Sequence, residues 1–454
     1  MTATPAAGAD IAALYAQHIA ICQTRAERAL GLSGHDALLI AAGVEKYAFL
    51  DDRPYLFQPN PHFKAWLPLC AHPYSWLLVR PGKKPLLVYY QPDDYWHVPP
   101  AAPSGFWLEH VELRVISEPE QALAQLADQL PADLARLAIV GEADAALQHL
   151  QPNNPAALID SLHWARACKT EYELDSMRAA SRLATRAHLA ARDAFLAGGS
   201  EAEIHRAYLI ACGHTDRDLP YSNIVGLNEH AAVLHYQYQD VQRPAQWRSL
   251  LVDAGAQVNG YAADITRTWT RGDADSAEFD AVLAAMEVAQ LALVDEVRKG
   301  VDYRDIHLST HRHLARILKQ QGIVAMSEEA MLAERVTSIF MPHGIGHLLG
   351  LQVHDVGGFM AGEAGGTRDK PEGHRYLRLT RDLLPGMVVT IEPGLYFIPT
   401  LLKQLRAMPA AASVDWAKVE RLSRFGGIRI EDDVVCRAEG APENLTRDAF
   451  ALLG

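Results

Sequence analysis

Five residues, Asp253, Asp264, His347, Glu392 and Glu431, lie in segments that each aim a side chain at one point, and together their types make a two-metal hydrolytic site. Asp253 and Asp264 belong to SLLVDAGAQVNGYAADITRTW, where a β-rich run from Ser249 to Val258 meets Asn259-Gly260, a strong two-residue hairpin signal, and a second run follows. With Asn259 and Gly260 as the turn, Val258 pairs with Tyr261 and Asp253 stands opposite Thr266. Asp264 is then a diagonal, same-face neighbour of Asp253. Diagonal neighbours have Cα atoms about 7–8 Å apart, which lets two carboxylates converge on metals about 3.5–4 Å apart. Taken alone, the pair also reads as a solvated hairpin face whose aspartates cap turns.

The other donor types weigh against that reading. His343, His347 and His354 fall within MPHGIGHLLGLQVHD, where glycines at 344, 346 and 350 argue against a helix and for backbone packed close to something else. Three histidines in a dozen apolar residues point to a metal or acid–base site, because imidazole both ligates metals and titrates near neutrality. Glu392 follows the β-branched run Val388-Val389-Thr390-Ile391 and precedes Pro393-Gly394, so it sits where a strand stops. Glu431 closes GGIRIEDDVV, where alternation sends Ile428 and Ile430 to one face and Arg429 and Glu431 to the other.

Four carboxylates, one imidazole and no thiolate form a hard, oxygen-rich donor set that favours Mn²⁺, although Zn²⁺ and Co²⁺ also bind such ligands. Two divalent ions held there lower the pKa of a water and polarise a carbonyl.

The elements that must position these residues are legible at coarse grain. A helical stretch from Asp10 to Leu30 precedes the apolar runs ALLIAAG (37–43), WLLVRPG (76–82), PLLVYY (85–90) and LARLAIVGE (134–142), which predict a small mixed α/β domain over residues 1–165. A larger α+β domain is expected over 166–454. It opens with a capping box, Thr170 with Glu173, and a helix to Gly198-Gly199; Ser200 and Glu203 repeat the box. Amphipathic helices at about 276–299 and 303–321 separate the aspartate hairpin from the histidine segment, and residues 361–381 and 400–424 read as loops or insertions near the site.

Composition constrains less. With 454 residues, 49% hydrophobic and 21% charged, the chain has an ordinary globular balance. Lys and Arg number 42 against 55 Asp and Glu, a net charge of −13 with no basic run, which argues against nucleic-acid and anionic-membrane partners. No apolar run approaches the roughly 18 residues of a spanning helix, and the start lacks a basic region before an apolar stretch, so a cytoplasmic location is expected. Five scattered cysteines without a CxxC are expected to be reduced.

The motifs also carry a family likeness. EHAAVLHY (229–236), LLVDAGAQVNGYAADITRTW (250–269), MPHGIGHLLGLQVHD (341–355), LLPGMVVTIEPGLYF (383–397) and GGIRIEDD (426–433) occur in the order found in the pita-bread metallopeptidases. The chain more closely resembles the bacterial Xaa-Pro dipeptidases and the organophosphorus acid anhydrolases grouped with them, and the likeness extends to FLDDRPYLFQPNPHFKAWLP (49–68). The resemblance implies a pita-bread catalytic domain behind a smaller amino-terminal domain, acting on small dipeptides as a homodimer with two divalent metals.

It further implies that Asp264 and Glu431 touch both metals, that Asp253, His347 and Glu392 complete the shells, and that Glu392 is the general base. His235 and His354 match residues that contact substrate and steady the tetrahedral intermediate, and Arg378 matches an arginine that grips the substrate carboxylate. His343 is expected to support the ligands, Tyr221 to line the substrate site, and Arg429 to orient the carboxylates or touch substrate. Asp52 corresponds to a residue that reaches a neighbouring subunit's pocket. The implied activity is release of proline from Xaa-Pro dipeptides, with side activity on organophosphorus triesters. The alternatives are aminopeptidase P-like or methionine aminopeptidase activity, and a non-catalytic peptide-binding module.

Overall fold

Asp10 caps the first helix, Ile11–Ser33, by accepting from the Ala12 amide at 3.1 Å, and Gly34 ends it in the left-handed region at φ 74°. This is the start of a computed structural model that describes residues 10–453; the opening residues 1–9, on which the expectation about a leader partly rests, lie outside it. Contacts divide the chain into two compact units. One comprises the residues up to Asp175 together with Gly362–Gly366, the other Ser176–Ala361 and the chain from Thr367.

The apolar runs of the first unit form a five-stranded mixed sheet. Its order is Glu112–Ile116, Leu86–Tyr90, Trp76–Val79, Ala37–Ala41, Leu137–Val140, with parallel pairs at both edges and antiparallel pairs between. Leu39, Leu78, Val88 and Ile139 line its core. The edge strand Glu112–Ile116 has no counterpart among the expected runs, because ELRVI buries only Ile116 and offers no apolar run to read. Residues 362–366 stay with this unit through Glu363, which accepts from Arg28 and from Ser161.

Both capping boxes are formed, the first at the end of the first unit and the second within the second unit. The Thr170 amide donates to Glu173 at 2.7 Å and the Glu173 amide to the Thr170 hydroxyl at 3.4 Å, opening helix Glu171–Leu196, while Ser200 and Glu203 do the same for Glu201–Cys212. Ala187, Ala191 and Phe195 pack with Ile204 and Tyr208 against Val225, Leu250 and Val252 of a three-stranded sheet, Ile265–Thr270, Ser249–Ala254, Ile224–Leu227. A second sheet aligns Val388–Ile391, Asp432–Val435 and Glu443–Asn444, and Gly394–Tyr396 pairs with Gly427–Arg429. Helices Ala277–Asp295 and Tyr303–Gln320 lie where periodicity places them.

The expectation of a loop over 400–424 is overturned. Helices Pro399–Arg406 and Trp416–Ser423 occupy it, joined by a 3₁₀ turn at Pro409–Ser413. Pro399 and Pro409 start helical turns instead of breaking them, since a first-turn proline forfeits no hydrogen bond. Residues 361–381 remain irregular apart from the ends of two three-residue strands, Met360–Gly362 and Gly365–Thr367. None of the five cysteines forms a disulfide. Among the described residues no helix is long and apolar enough to cross a membrane.

Candidate metal centre

The aspartate hairpin has the register its turn dictates. Val258 pairs with Tyr261 and Asp253 with Thr266, and Asn259 and Gly260 take the positive φ values, 53° and 86°, that a two-residue turn of this kind requires. The ladder is interrupted at 255–256 and 263–264, which frees Asp264 from strand pairing; its amide is held instead by Asp433 Oδ2 at 3.1 Å. Gly255 sits in the interruption, where a Cβ would lie 2.1 Å from the Ala263 carbonyl oxygen and 2.9 Å from the Tyr221 ring.

Three further backbone links bring the remaining donors to the same place. His347 pairs with Thr390 through both backbone groups, its amide reaching the Thr390 hydroxyl at 3.2 Å and its carbonyl the Thr390 amide at 3.0 Å. Glu392, just past the strand Val388–Ile391, donates its amide to the Ile345 carbonyl at 2.9 Å. Glu431 bridges to Thr266, amide to carbonyl at 3.0 Å, while the Thr266 hydroxyl donates to Glu431 Oε2 at 2.6 Å. Asp264, His347 and Glu431 thus place one donor atom each within 4.8 Å of the others. His347 Nε2 lies 3.5 Å from Asp264 Oδ2 and 3.8 Å from Glu392 Oε1.

The donor chemistry fits divalent cations. His347 Nδ1 lies 3.0 Å from the Leu348 carbonyl, which only accepts, so Nδ1 carries the proton and the Nε2 lone pair faces the carboxylates. Burial and the neighbouring His354 hold this imidazole neutral, at about 3. Without cations the acids repel one another. Burial, then Asp253, raises the Asp264 carboxyl to about 8; burial and neighbouring acids raise Glu392, opposed by Arg429, and push Glu431 well up. A buried cluster of this charge calls for bound positive charge.

Arg429 supplies part of it. It donates through Nη2 to Asp253 Oδ2 at 2.6 Å, through Nη1 to the Tyr396 hydroxyl at 2.9 Å, and through Nε to the Thr266 hydroxyl at 3.2 Å. Tyr221 donates its hydroxyl proton to Asp253 and Asp264, whose Oδ1 atoms lie 2.8 and 2.5 Å away. His343 has no lone pair to spare: Nδ1 donates to the Gly344 carbonyl at 2.7 Å and Nε2 accepts from Tyr396 at 3.0 Å. It therefore stands behind the donors, 3.7 Å from Glu392.

His354 packs edge-on to His347, with ring centroids 4.4 Å apart. His235 and Arg378 are exposed but electrostatically coupled to the cluster, both lowering the affinity of His354 for a proton. Asp52 is exposed on a bend of the amino-terminal unit, and the convergent set forms without it.

Sequence reasoning missed Tyr396 and Thr266. Thr266 was accessible, since the hairpin register already placed it opposite Asp253. Tyr396 gave no signal beyond an aromatic in a buried strand.

Four carboxylates and a lone-pair imidazole buried in an α+β unit define a metallohydrolase. The chain belongs to the metallopeptidase family M24, whose model matches residues 175–438, and residues 13–164 match the Xaa-Pro dipeptidase N-terminal domain. Among its relatives, a Xaa-Pro dipeptidase of Xanthomonas campestris is 53% identical, covering 97% of this chain and 99% of its own. One of Stenotrophomonas maltophilia is 49% identical over 97% and 98%. The fold is shared with aminopeptidase PepP of Pseudomonas aeruginosa, at TM-score 0.71 and 23% identity over 96% and 98% of the two chains. Proline aminopeptidase P II of Yersinia pestis gives TM-score 0.68 and 26% identity over 96% and 99%.

Proposed function

We propose that the chain is a metal-dependent dipeptidase that hydrolyses Xaa-Pro dipeptides and releases free proline. The observation that carries this is the convergence of Asp253, Asp264, His347, Glu392 and Glu431 at one buried place, in a chain 53% identical to a Xaa-Pro dipeptidase over nearly its whole length. These five residues would hold two divalent cations, with Asp264 and Glu431 shared between them and Mn²⁺ favoured by the oxygen-rich set. The cations supply Lewis acidity, lowering the pKa of the attacking water and polarising the scissile carbonyl.

The chain's own residues do the rest. Glu392 accepts the water's proton and returns it to the imide nitrogen, which cannot leave unprotonated; such transfer is typically worth about 10²–10⁴ in rate. His235 and His354 contact the substrate and steady the tetrahedral intermediate. Arg378 grips the terminal carboxylate in a two-pronged ion pair, which selects dipeptides over longer chains. Tyr221 and Arg429 fix Asp253, and His343 fixes the approach to Glu392.

A homodimer in the cytoplasm, with Asp52 reaching the partner's pocket, completes the reading. Phe49 and Leu50, beside Asp52, are 90% and 91% exposed, as a residue awaiting a partner surface would be. Side activity on organophosphorus triesters follows from the same nucleophile and is incidental. Aminopeptidase P and methionine aminopeptidase activity are less well supported, and a complete donor set disfavours a pure binding module.

The test is proline release from Xaa-Pro dipeptides, matched Xaa-Pro-Yaa tripeptides and Xaa-Ala controls, using chelated protein, protein with Mn²⁺, and Asp264→Asn. Cleavage confined to dipeptides, restored by Mn²⁺ and lost in the variant, is expected. Preference for tripeptides would move the assignment to aminopeptidase P, and no cleavage with any divalent ion would end the enzymatic reading.

A further inference from the structure

A second cluster of donors lies apart from the carboxylates. Helix Tyr303–Gln320 carries His307 and His311 one turn apart on its buried face, and His374 of the irregular 367–379 segment closes over them. The three rings form a near-equilateral triangle, with centroids 4.9, 4.7 and 4.7 Å apart, and one nitrogen of each lies within 4.8 Å of the other two. His307 Nε2 and His374 Nδ1 are 2.9 Å apart, sharing one proton between two nitrogens.

Two features mark this as more than packing. His307 and His311 are 1% and 3% exposed, yet His307 Nδ1 and His311 Nε2 are buried with no hydrogen-bond partner. Leaving such atoms unpaired carries an uncompensated desolvation cost, and no acid in the cluster offsets it. His311 Nδ1, meanwhile, is anchored 3.0 Å from the Thr337 hydroxyl, which fixes its ring as second-sphere hydrogen bonds fix metal-bound histidines. Burial also keeps His307 and His311 neutral, at about 2 and about 3, which is the form that ligates.

We propose that His307, His311 and His374 form a three-imidazole site for Zn²⁺, separate from the carboxylate centre and specific for borderline transition ions. All-nitrogen donors suit Zn²⁺ and not Mn²⁺, and a tetrahedral ion with Zn–N bonds of about 2.0–2.1 Å needs ligand nitrogens about 3.3 Å apart, close to the spacing between His307 and His374. A water would complete the sphere, since His374 is only partly buried. Binding requires a change of tautomer within the His307–His374 pair and no net loss of protons, since each neutral ring has one lone pair to give.

The ion would clamp a segment that matters to substrate. His374 is four residues before Arg378, and between them Leu377 and Tyr376 press on Gly344, where a Cβ would lie 2.9 Å from Leu377 Cα and 3.1 Å from the Tyr376 carbonyl oxygen. The segment is already tied to the same helix by Arg368 on Asp302, at 2.7 Å, and by Arg304 on the Asp369 carbonyl, at 3.1 Å. Zn²⁺ would therefore be a structural ion that rigidifies the approach to Arg378.

The experiment uses untagged full-length protein, stripped with chelator, loaded with excess Mn²⁺, then titrated with Zn²⁺ and desalted. Metal content is measured for wild type, His374→Ala and His311→Gln, with zinc X-ray absorption on the wild type. One Zn²⁺ per chain with nitrogen-dominated coordination is expected in the wild type, absent from both variants, with Mn²⁺ content unchanged in all three. Hydrogen exchange of residues 367–379 should slow by about tenfold or more on adding Zn²⁺ to the wild type and not to His374→Ala. His374 is partly exposed, so this variant keeps the fold even if His311→Gln does not. Equal Zn²⁺ retention in wild type and His374→Ala, oxygen-rich zinc coordination, or unchanged exchange would overturn the site, whatever the outcome of the peptidase assay.

Discussion

Arg429 donates to the Tyr396 hydroxyl at 2.9 Å, and that hydroxyl passes its own proton to His343 Nε2 at 3.0 Å, so a single phenol oxygen links the arginine on Asp253 to the histidine beside Glu392. Replacing Tyr396 by Phe leaves two buried polar groups unpaired. We expect a stability loss of about 1–3 kcal/mol, full metal content, and a fall in kcat with little change in KM, because the donors remain while their orientation loosens. Chemical denaturation, metal analysis and steady-state kinetics on the one variant check all three.

Gly255 makes a sharper test of the hairpin's role. A Cβ there collides with the Ala263 carbonyl oxygen and the Tyr221 ring, both of which flank the aspartates. Gly255→Ala should cost about 1–3 kcal/mol or more by overpacking and should weaken metal binding with it. Wild-type metal affinity at reduced stability would show that the interrupted ladder is structural only.

The parts of this site that could be read in advance are those governed by local backbone chemistry. Asn259-Gly260 admits one register, and that register places Asp253 against Thr266. Thr170 and Ser200 announce helix starts because side chain and backbone satisfy each other within one turn. Long-range pairings are different. Tyr396 joins His343 and Arg429 only because Gly394–Tyr396 pairs with Gly427–Arg429, and no spacing in the sequence encodes that register. Likewise His374 meets His307 across 67 positions. The helices at Pro399 and Trp416 were hidden by prolines and small residues that serve first turns as readily as loops.

Metal removal should give the protein an inverted pH response. Asp264 and Glu392 have folded pKa values raised to about 8, mainly by burial. Below the unfolded value, near 4, they cost nothing; between there and 8 the folded state holds more protons than the unfolded one, so stability falls as pH rises, by about 1.4 kcal/mol per pH unit for each proton held. His343, His347 and His354, lowered mainly by desolvation to between about 3 and about 4, act oppositely, but their effect is complete above the free imidazole value near 6.5. The window is therefore pH 6.5–8. His18, raised to about 9, declines there in either form and cancels in the comparison. Chelated protein should lose Tm across this window relative to Mn²⁺-loaded protein, and parallel profiles for the two would refute the charge-repulsion account.

Arg378 tests the specificity argument. It is exposed yet close enough to His354, His347 and Glu392 to disfavour protonation of all three, so it faces the cluster with a charged end free for a substrate carboxylate. Arg378→Lys keeps the charge and loses the fork geometry, whereas Arg378→Ala loses both. Because the carboxylate is bound alike in ground and transition states, KM for Xaa-Pro should rise by about 10–100-fold with kcat nearly kept in the alanine variant, and less in the lysine variant. Selectivity against Xaa-Pro-Yaa should shrink in parallel, since the tripeptide never used that contact well. A loss confined to kcat, equal for both substrates, would place Arg378 in the chemistry of the reacting bond and not at the carboxylate.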